Sequence, residues 1–137
     1  MPSFFSHAKI NLGLQVLNKR EDGYHNLHSL FLEVNLSDEL IFSLADEFYL
    51  TAEKSAIVEI PFDETNLISK AYRLIRKKVE FVPTEYAIHL KKQIPTGSGL
   101  GGGSSNAATT LKALNQLWEL HLESDELEKM GKSLGAD

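Results

Sequence analysis

Cysteine is absent from all 137 residues. That one absence removes disulfides, thiolate metal sites and cysteine nucleophiles. Basic charge is in deficit: 14 Lys and Arg stand against 19 Asp and Glu, for a net charge of -5. Binding to nucleic acid rests on a basic footprint that displaces counterions, so nucleic acid is not the expected partner. No apolar run approaches the roughly 20 residues that cross a bilayer, so no membrane partner is expected either. The opening MPSFFSHAK lacks the basic flank and apolar stretch of a secretory leader, and the expected location is cytoplasmic. Hydrophobic residues make up 42% and charged residues 24%, ordinary values for a globular chain. The length suits one domain with a real core.

Alternation marks the strands. Residues 8 to 17, AKINLGLQVL, set Ile10, Leu12, Leu14 and Val16 on every second position. Asp22-Gly23 marks a turn. A second strand is expected through Leu30, Leu32, Val34 and Leu36, closed by Asp38. Leu40, Phe42 and Leu44 predict a third, joined by a short connection and therefore antiparallel. One or two short strands ending at Pro61 are expected over 46–63. Thr65 or Asn66 is read as the N-cap of a helix with Leu67, Ile68, Ala71, Leu74, Ile75 and Val79 at helical spacing, ended by Pro83. Tyr86, Ile88 and Leu90 alternate into another strand. Ser104 and Ser105 sit where a further helix begins, with Ala108, Leu111, Leu114, Leu117 and Trp118 as its apolar stripe. A last helix is expected from Ser124, capped by Gly135. The mixture predicts an α+β layer.

The informative segment lies between strand and helix. Residues 94–108 read IPTGSGLGGGSSNAA, and Gly97, Gly99, Gly101, Gly102 and Gly103 are five of the nine glycines in the chain. Such a cluster costs backbone entropy, which a purely structural loop seldom needs. It lets successive N–H groups converge on one point, a concavity that binds anions. The helix starting near Ser104 adds the positive end of its dipole at the same place. Ser104 and Ser105 can cap that helix or donate to phosphate oxygens. The combination describes a polyphosphate cradle; the plainer reading is a mobile glycine loop without a ligand. Gly97, Gly99 and Gly102 also fit the dinucleotide fingerprint, but that fold sets a continuous apolar strand before its glycines. EYAIHLKKQI instead alternates and carries charge. Gly131-Lys132-Ser133 ends like a Walker loop, yet Glu126 stands where its first glycine belongs.

PTGSGLGGGSSNAA resembles the second motif of the GHMP kinases, small-molecule kinases that bind ATP through a glycine-serine loop. AKINLGLQV, REDGYHNLHSLF and MGKSLGAD extend the resemblance from residue 4 to residue 137. They narrow it to members that phosphorylate the 2-hydroxyl of a cytidine diphosphate-linked methylerythritol in the non-mevalonate isoprenoid pathway. The resemblance implies a GHMP N-terminal, ATP-binding domain over residues 1–137. That domain is a mixed sheet with helices on one face, similar to ribosomal protein S5 domain 2. ATP is the implied co-substrate and Mg²⁺ the implied cofactor. Family members are longer, and their C-terminal domain is absent from this chain, so the isolated chain is expected to have little or no kinase activity. Two other readings stay open: a homoserine- or mevalonate-type kinase, and a non-catalytic nucleotide-binding module on the same fold.

The resemblance also assigns residues. Lys9 and Asp137 match the catalytic pair: a carboxylate near the acceptor hydroxyl takes or orients its proton, and a lysine meets developing phosphate charge. Pro95, Thr96, Gly97, Ser98, Gly99, Leu100, Gly101, Gly102, Gly103, Ser104 and Ser105 match the ATP-binding loop. Asn11, two positions from Lys9 and on the same strand face, is implied near the substrate. Tyr24 and His25 match an aromatic-histidine pair that holds cytosine. Asn66 and Lys92 match positions near adenine, although Asn66 is equally a helix cap and Lys92 equally plain surface. Asn106 stands where some members carry an acid, and the ligands of Mg²⁺ are not assigned; ATP and a serine hydroxyl can hold it.

Overall fold

Two long antiparallel strands begin the chain, β1 over Ser3–Lys19 and β2 over His25–Ala45. The computed structural model describes residues 1–19, 25–53, 66–81, 84–94 and 102–134, without the side chains of 9–34 and 102. The expected second and third strands are a single strand, and Asp38 closes neither. Its backbone stays in the ladder opposite Ser6, while its fully buried carboxylate receives donors from distant parts of the chain. An acid in an apolar alternation breaks a strand only when its side chain must reach water. The β1–β2 register shifts between His7 and Lys9, between Asn11 and Gly13, and between Val16 and Lys19. Such irregularities bend a strand and increase its twist. The one at Leu12 also interrupts the strict alternation expected over 8–17.

β3 covers Tyr49–Ala52 and β4 Glu85–Lys91. β4 pairs antiparallel with β2 and parallel with β3, giving a mixed sheet in the order β1-β2-β4-β3. The expected stops at Pro61 and Pro83 lie outside the described residues.

α1 runs Leu67–Arg76 and starts as expected, with Asn66 Oδ1 accepting the Ile68 amide at 2.8 Å. α2 runs Gly102–Leu117, so the last two loop glycines already belong to its first turn rather than preceding it. The two helices approach closely there: a Cβ on Gly103 would sit 3.3 Å from Leu67 Cδ1, at the start of α1. α3 runs Ser124–Ser133, with Asp125 and Glu126 at the positive end of its dipole. Its C-cap is Leu134 in right-handed conformation, not Gly135, which lies outside the described residues.

The helices cover one face of the sheet. Leu40, Phe42, Tyr86, Ile88 and Leu90 from the strands meet Ile68, Ile75, Leu111, Leu114 and Trp118 in one core. Aromatic edges join neighbours within each layer, Phe4 on Phe42 at 5.4 Å and Phe42 on Tyr86 at 5.9 Å in the sheet and Tyr72 on Trp118 at 5.4 Å among the helices. Tyr86 and Trp118, 6.4 Å apart, link the two layers. Each such pair is worth about 0.5–1.5 kcal/mol beyond its buried area. Among the described residues no helix is long and apolar enough to cross a membrane.

A polar clasp fixes the start of β4. The Tyr72 hydroxyl donates to Glu85 and accepts the Tyr86 amide at 3.0 Å, and Arg76 Nε donates to Glu85 at 2.7 Å. Burial, then the bond to Glu85, pushes the Tyr72 phenol far above its usual 10.0. Burial works to raise Glu85 as well, but the Tyr72 hydroxyl and the Arg76 guanidinium outweigh it and hold the carboxyl below 4.5. A carboxyl with a lowered native pKa contributes stability above its ordinary pKa, and that contribution disappears as pH falls. Glu85→Gln should therefore be less stable than wild type at neutral pH, by on the order of 1 kcal/mol for so exposed a pair. In thermal melts the gap should narrow as pH drops from about 5 to about 3. A gap independent of pH would contradict the clasp.

Candidate functional site

β4 leaves the sheet after Lys91, which pairs with Glu39. Continued in register, the next rung would set Lys92 against Asp38. The chain turns instead, and the amides of Gln93 and Ile94 donate to Asp38 Oδ1 at 2.6 and 2.8 Å. A side-chain carboxylate thus replaces the next rung of the ladder. Asp38 Oδ2 accepts Lys92 Nζ and also Asn106 Nδ2 at 2.9 Å. The Asp38 side chain has no solvent contact and that of Lys92 is only 6% exposed. Charge so deeply buried is tolerated when it is paired and its lone pairs are filled, and here four donors fill them.

Asn106 belongs to α2 and is itself buried. Besides Asp38 it donates to Ser6 Oγ at 2.9 Å, and its Oδ1 lies 3.4 Å from Lys92 Nζ. Ser6 stands directly across the ladder from Asp38, which is why one amide reaches both. Ser6 Oγ in turn donates to Ser105 Oγ at 2.8 Å. β1, β2, the exit of β4 and the start of α2 therefore meet at one carboxylate. The segment 95–101 leaves this point at Ile94 and returns to it in α2. Both of its ends are held by the same group.

The first turn of α2 contains Gly102, Gly103, Ser104 and Ser105, and no acidic side chain competes there for its unpaired amides. Leu67 against Gly103 brings the Asn66 cap close to the same helix end. Lys92 is not plain surface: its ammonium points inward to Asp38 and Asn106. Lys9 and Asn11 lie on β1 opposite Glu33 and Phe31, and His25 opens β2 opposite Lys19. Pro95 to Gly101, Tyr24 and Asp137 lie outside the described residues. The sequence reading gave no site role to Asp38 or Ser6. Their signal was present, since Leu36, Asp38, Leu40 and Phe42 alternate and put the acid on the core face.

Among the described residues no three His, Asp or Glu side chains converge on a point, and both oxygens of Asp38 are already filled. Asn106 has its own reason to be an amide. An acid in its place would set a second carboxylate where Nδ2 now lies 2.9 Å from Asp38.

The chain is similar to known proteins in sequence and fold. The model of the GHMP kinases N terminal domain matches residues 66–137. A 4-diphosphocytidyl-2-C-methyl-D-erythritol kinase of Chlorobium phaeobacteroides (strain BS1) is 46% identical over 130 residues, covering 95% of this chain and 44% of its own length. A crystal structure of 4-(cytidine 5'-diphospho)-2C-methyl-D-erythritol kinase is similar with TM-score 0.77 and 36% identity, covering 99% of this chain and 47% of that one. Mevalonate kinase of Methanococcus jannaschii shares the fold, with TM-score 0.70 at 18% identity over 97% of this chain and 45% of its own. The chain spans less than half the length of each of these relatives.

Removing one partner from a buried ion pair is far costlier than replacing both. Lys92→Met should destabilise the protein by about 3–5 kcal/mol in urea titrations, because Asp38 keeps its burial and loses its counter-charge. A loss under about 1 kcal/mol, the range of a surface pair, would show that the pair anchors nothing.

Proposed function

The chain belongs to the GHMP kinases, and on that premise we propose that it is the ATP-binding part of an enzyme that phosphorylates the 2-hydroxyl of 4-diphosphocytidyl-2-C-methyl-D-erythritol. The reaction belongs to the non-mevalonate route to isoprenoid precursors. The observation that carries this reading is the 46% identity with the Chlorobium kinase along 95% of the chain. Residues 1–137 are read as the ATP-binding domain, and the cytidine clamp is completed by the further length that the relatives possess.

Phosphoryl transfer asks a protein mainly for position and charge. In this reading the amides of residues 95–105 and the start of α2 embrace the triphosphate. Asn66 borders the adenine, as does Lys92 through the stretch it fixes after β4. Tyr24 and His25 hold the cytosine, and Asn11 lies by the acceptor. Asp137 takes the proton of the 2-hydroxyl as its oxygen attacks the γ-phosphorus and ADP departs. Lys9 meets the negative charge that builds on the transferred group. Mg²⁺ enters only as the ion that ATP carries on its phosphates, and no step is routed through a protein-bound metal.

The test is a transfer assay on the full-length protein with ATP and the diphosphocytidyl acceptor, with product mass and ADP release as readouts. One phosphate should appear on the acceptor, and CDP should compete. Asp137→Asn and Lys9→Met should each lower kcat about 100-fold or more while ATP still binds. Activity retained in either variant would remove that residue from the mechanism. Transfer to homoserine or mevalonate without competition by CDP would identify a different GHMP kinase. Binding of ATP with no transfer to any of the three would identify a non-catalytic module.

A further inference from the structure

The hydrogen bonds that run from Asp38 to Ser105 have one consistent direction. The Asn106 amide presents Oδ1 to the Lys92 ammonium at 3.4 Å and Nδ2 to the Asp38 carboxylate at 2.9 Å. An ammonium can only donate, and a carboxylate already serving three other donors can only accept, so the amide cannot be turned over. Nδ2 has two hydrogens. One goes to Asp38 and the other to Ser6 Oγ, 2.9 Å away. Ser6 is fully buried and accepts there, so its own hydrogen goes to Ser105 Oγ at 2.8 Å. Ser105 consequently accepts on its inner side and keeps its own hydrogen. Among the described residues no acceptor takes that hydrogen.

We propose that Asp38 and Ser6 are positioning residues for Ser105: through Asn106 they fix its hydroxyl as a donor to an incoming phosphate oxygen. The proposal rests on the kinase reading and deepens that same site; neither Asp38 nor Ser6 touches the nucleotide. A serine hydroxyl is free to rotate, and one that donated inward would have to break that bond before serving a ligand. Here the inward role is taken by acceptance, so the hydrogen is available before the anion arrives. Preorganisation of this kind saves the reordering that binding would otherwise require. A purely structural cluster would need the contacts but not their polarity. Asp38→Asn tests the polarity itself. With its oxygen kept on the Gln93 and Ile94 amides, its new NH₂ would face the Lys92 ammonium and the Asn106 amide. The acceptor that sets the direction of the Asn106 amide would be gone, and with it the polarity passed through Ser6 to Ser105.

The experiment titrates MgATP and AMP into the full-length protein by calorimetry, for wild type, Ser6→Ala, Ser105→Ala and the double variant. Ser6→Ala should weaken MgATP about 3- to 10-fold, the size of one neutral hydrogen bond. AMP, which lacks the β- and γ-phosphates, should bind as in wild type. The double variant should bind MgATP no more weakly than Ser105→Ala, because Ser6 acts through Ser105. Asp38→Asn should weaken MgATP further, and the serine arms decide the matter even if that variant fails to fold. Wild-type affinity in Ser6→Ala, effects that add in full, or an equal loss for AMP would each overturn the proposal. A wild-type protein that binds no MgATP overturns the kinase reading, and this inference with it.

Discussion

Both oxygens of Asp38 are filled from outside its own strand: two amides beyond β4, an ammonium and a helix amide. Taking a carboxylate out of water costs several kcal/mol after relaxation, and only paired charge and filled lone pairs offset that. An apolar side chain would avoid the cost, but it could not serve the amides of Gln93 and Ile94. The Ile94 amide leaves the ladder in the interior, where an unpaired backbone group is itself expensive. The carboxylate therefore solves a problem of chain direction. It lets the backbone turn out of the ladder after Lys91 and pass through buried Ile94 with its amide paired.

β4 is consequently pinned at both ends. Glu85 holds its start to α1 through Tyr72 and Arg76, and Asp38 holds the residues just beyond Lys91 to β2. α2 is tied to the second anchor by Asn106 and to α1 by the close approach of Gly103 to Leu67. The described residues on either side of the glycine-rich segment, Ile94 and the start of α2, are thus fixed to the same carboxylate.

Much of the fold could be read from residue spacing. The starts of α1 and α3, the strand from Glu85, and the run of strand, glycines, serines and helix all follow local rules of capping and period. The long second strand did not, because an acid between Leu36 and Leu40 looks like a boundary until its distant partners are known. Those partners lie more than fifty residues away, beyond the reach of any local pattern. Lys92 was obscure for the same reason: its burial depends on Asp38. The shifts in register along β1 leave no trace in an alternation of apolar residues. Of the site, the glycine segment stood out on composition alone, whereas Lys9, Asp137 and the cytosine pair came only from family resemblance. The polar cluster around Asp38 was visible only as an acid on the wrong face of a strand.

On the proposed reading, the Asp38 cluster holds Ile94 and the start of α2 ready for a triphosphate. A crystal structure of the full-length protein with a non-hydrolysable ATP analogue tests it most directly. The phosphates should lie against the main-chain amides of residues 95–105. Ser105 Oγ should come within about 2.5–3.0 Å of a phosphate oxygen, with every bond to Asp38 intact. A triphosphate seated elsewhere, or bound only after the Gln93 and Ile94 amides have left Asp38, would contradict it.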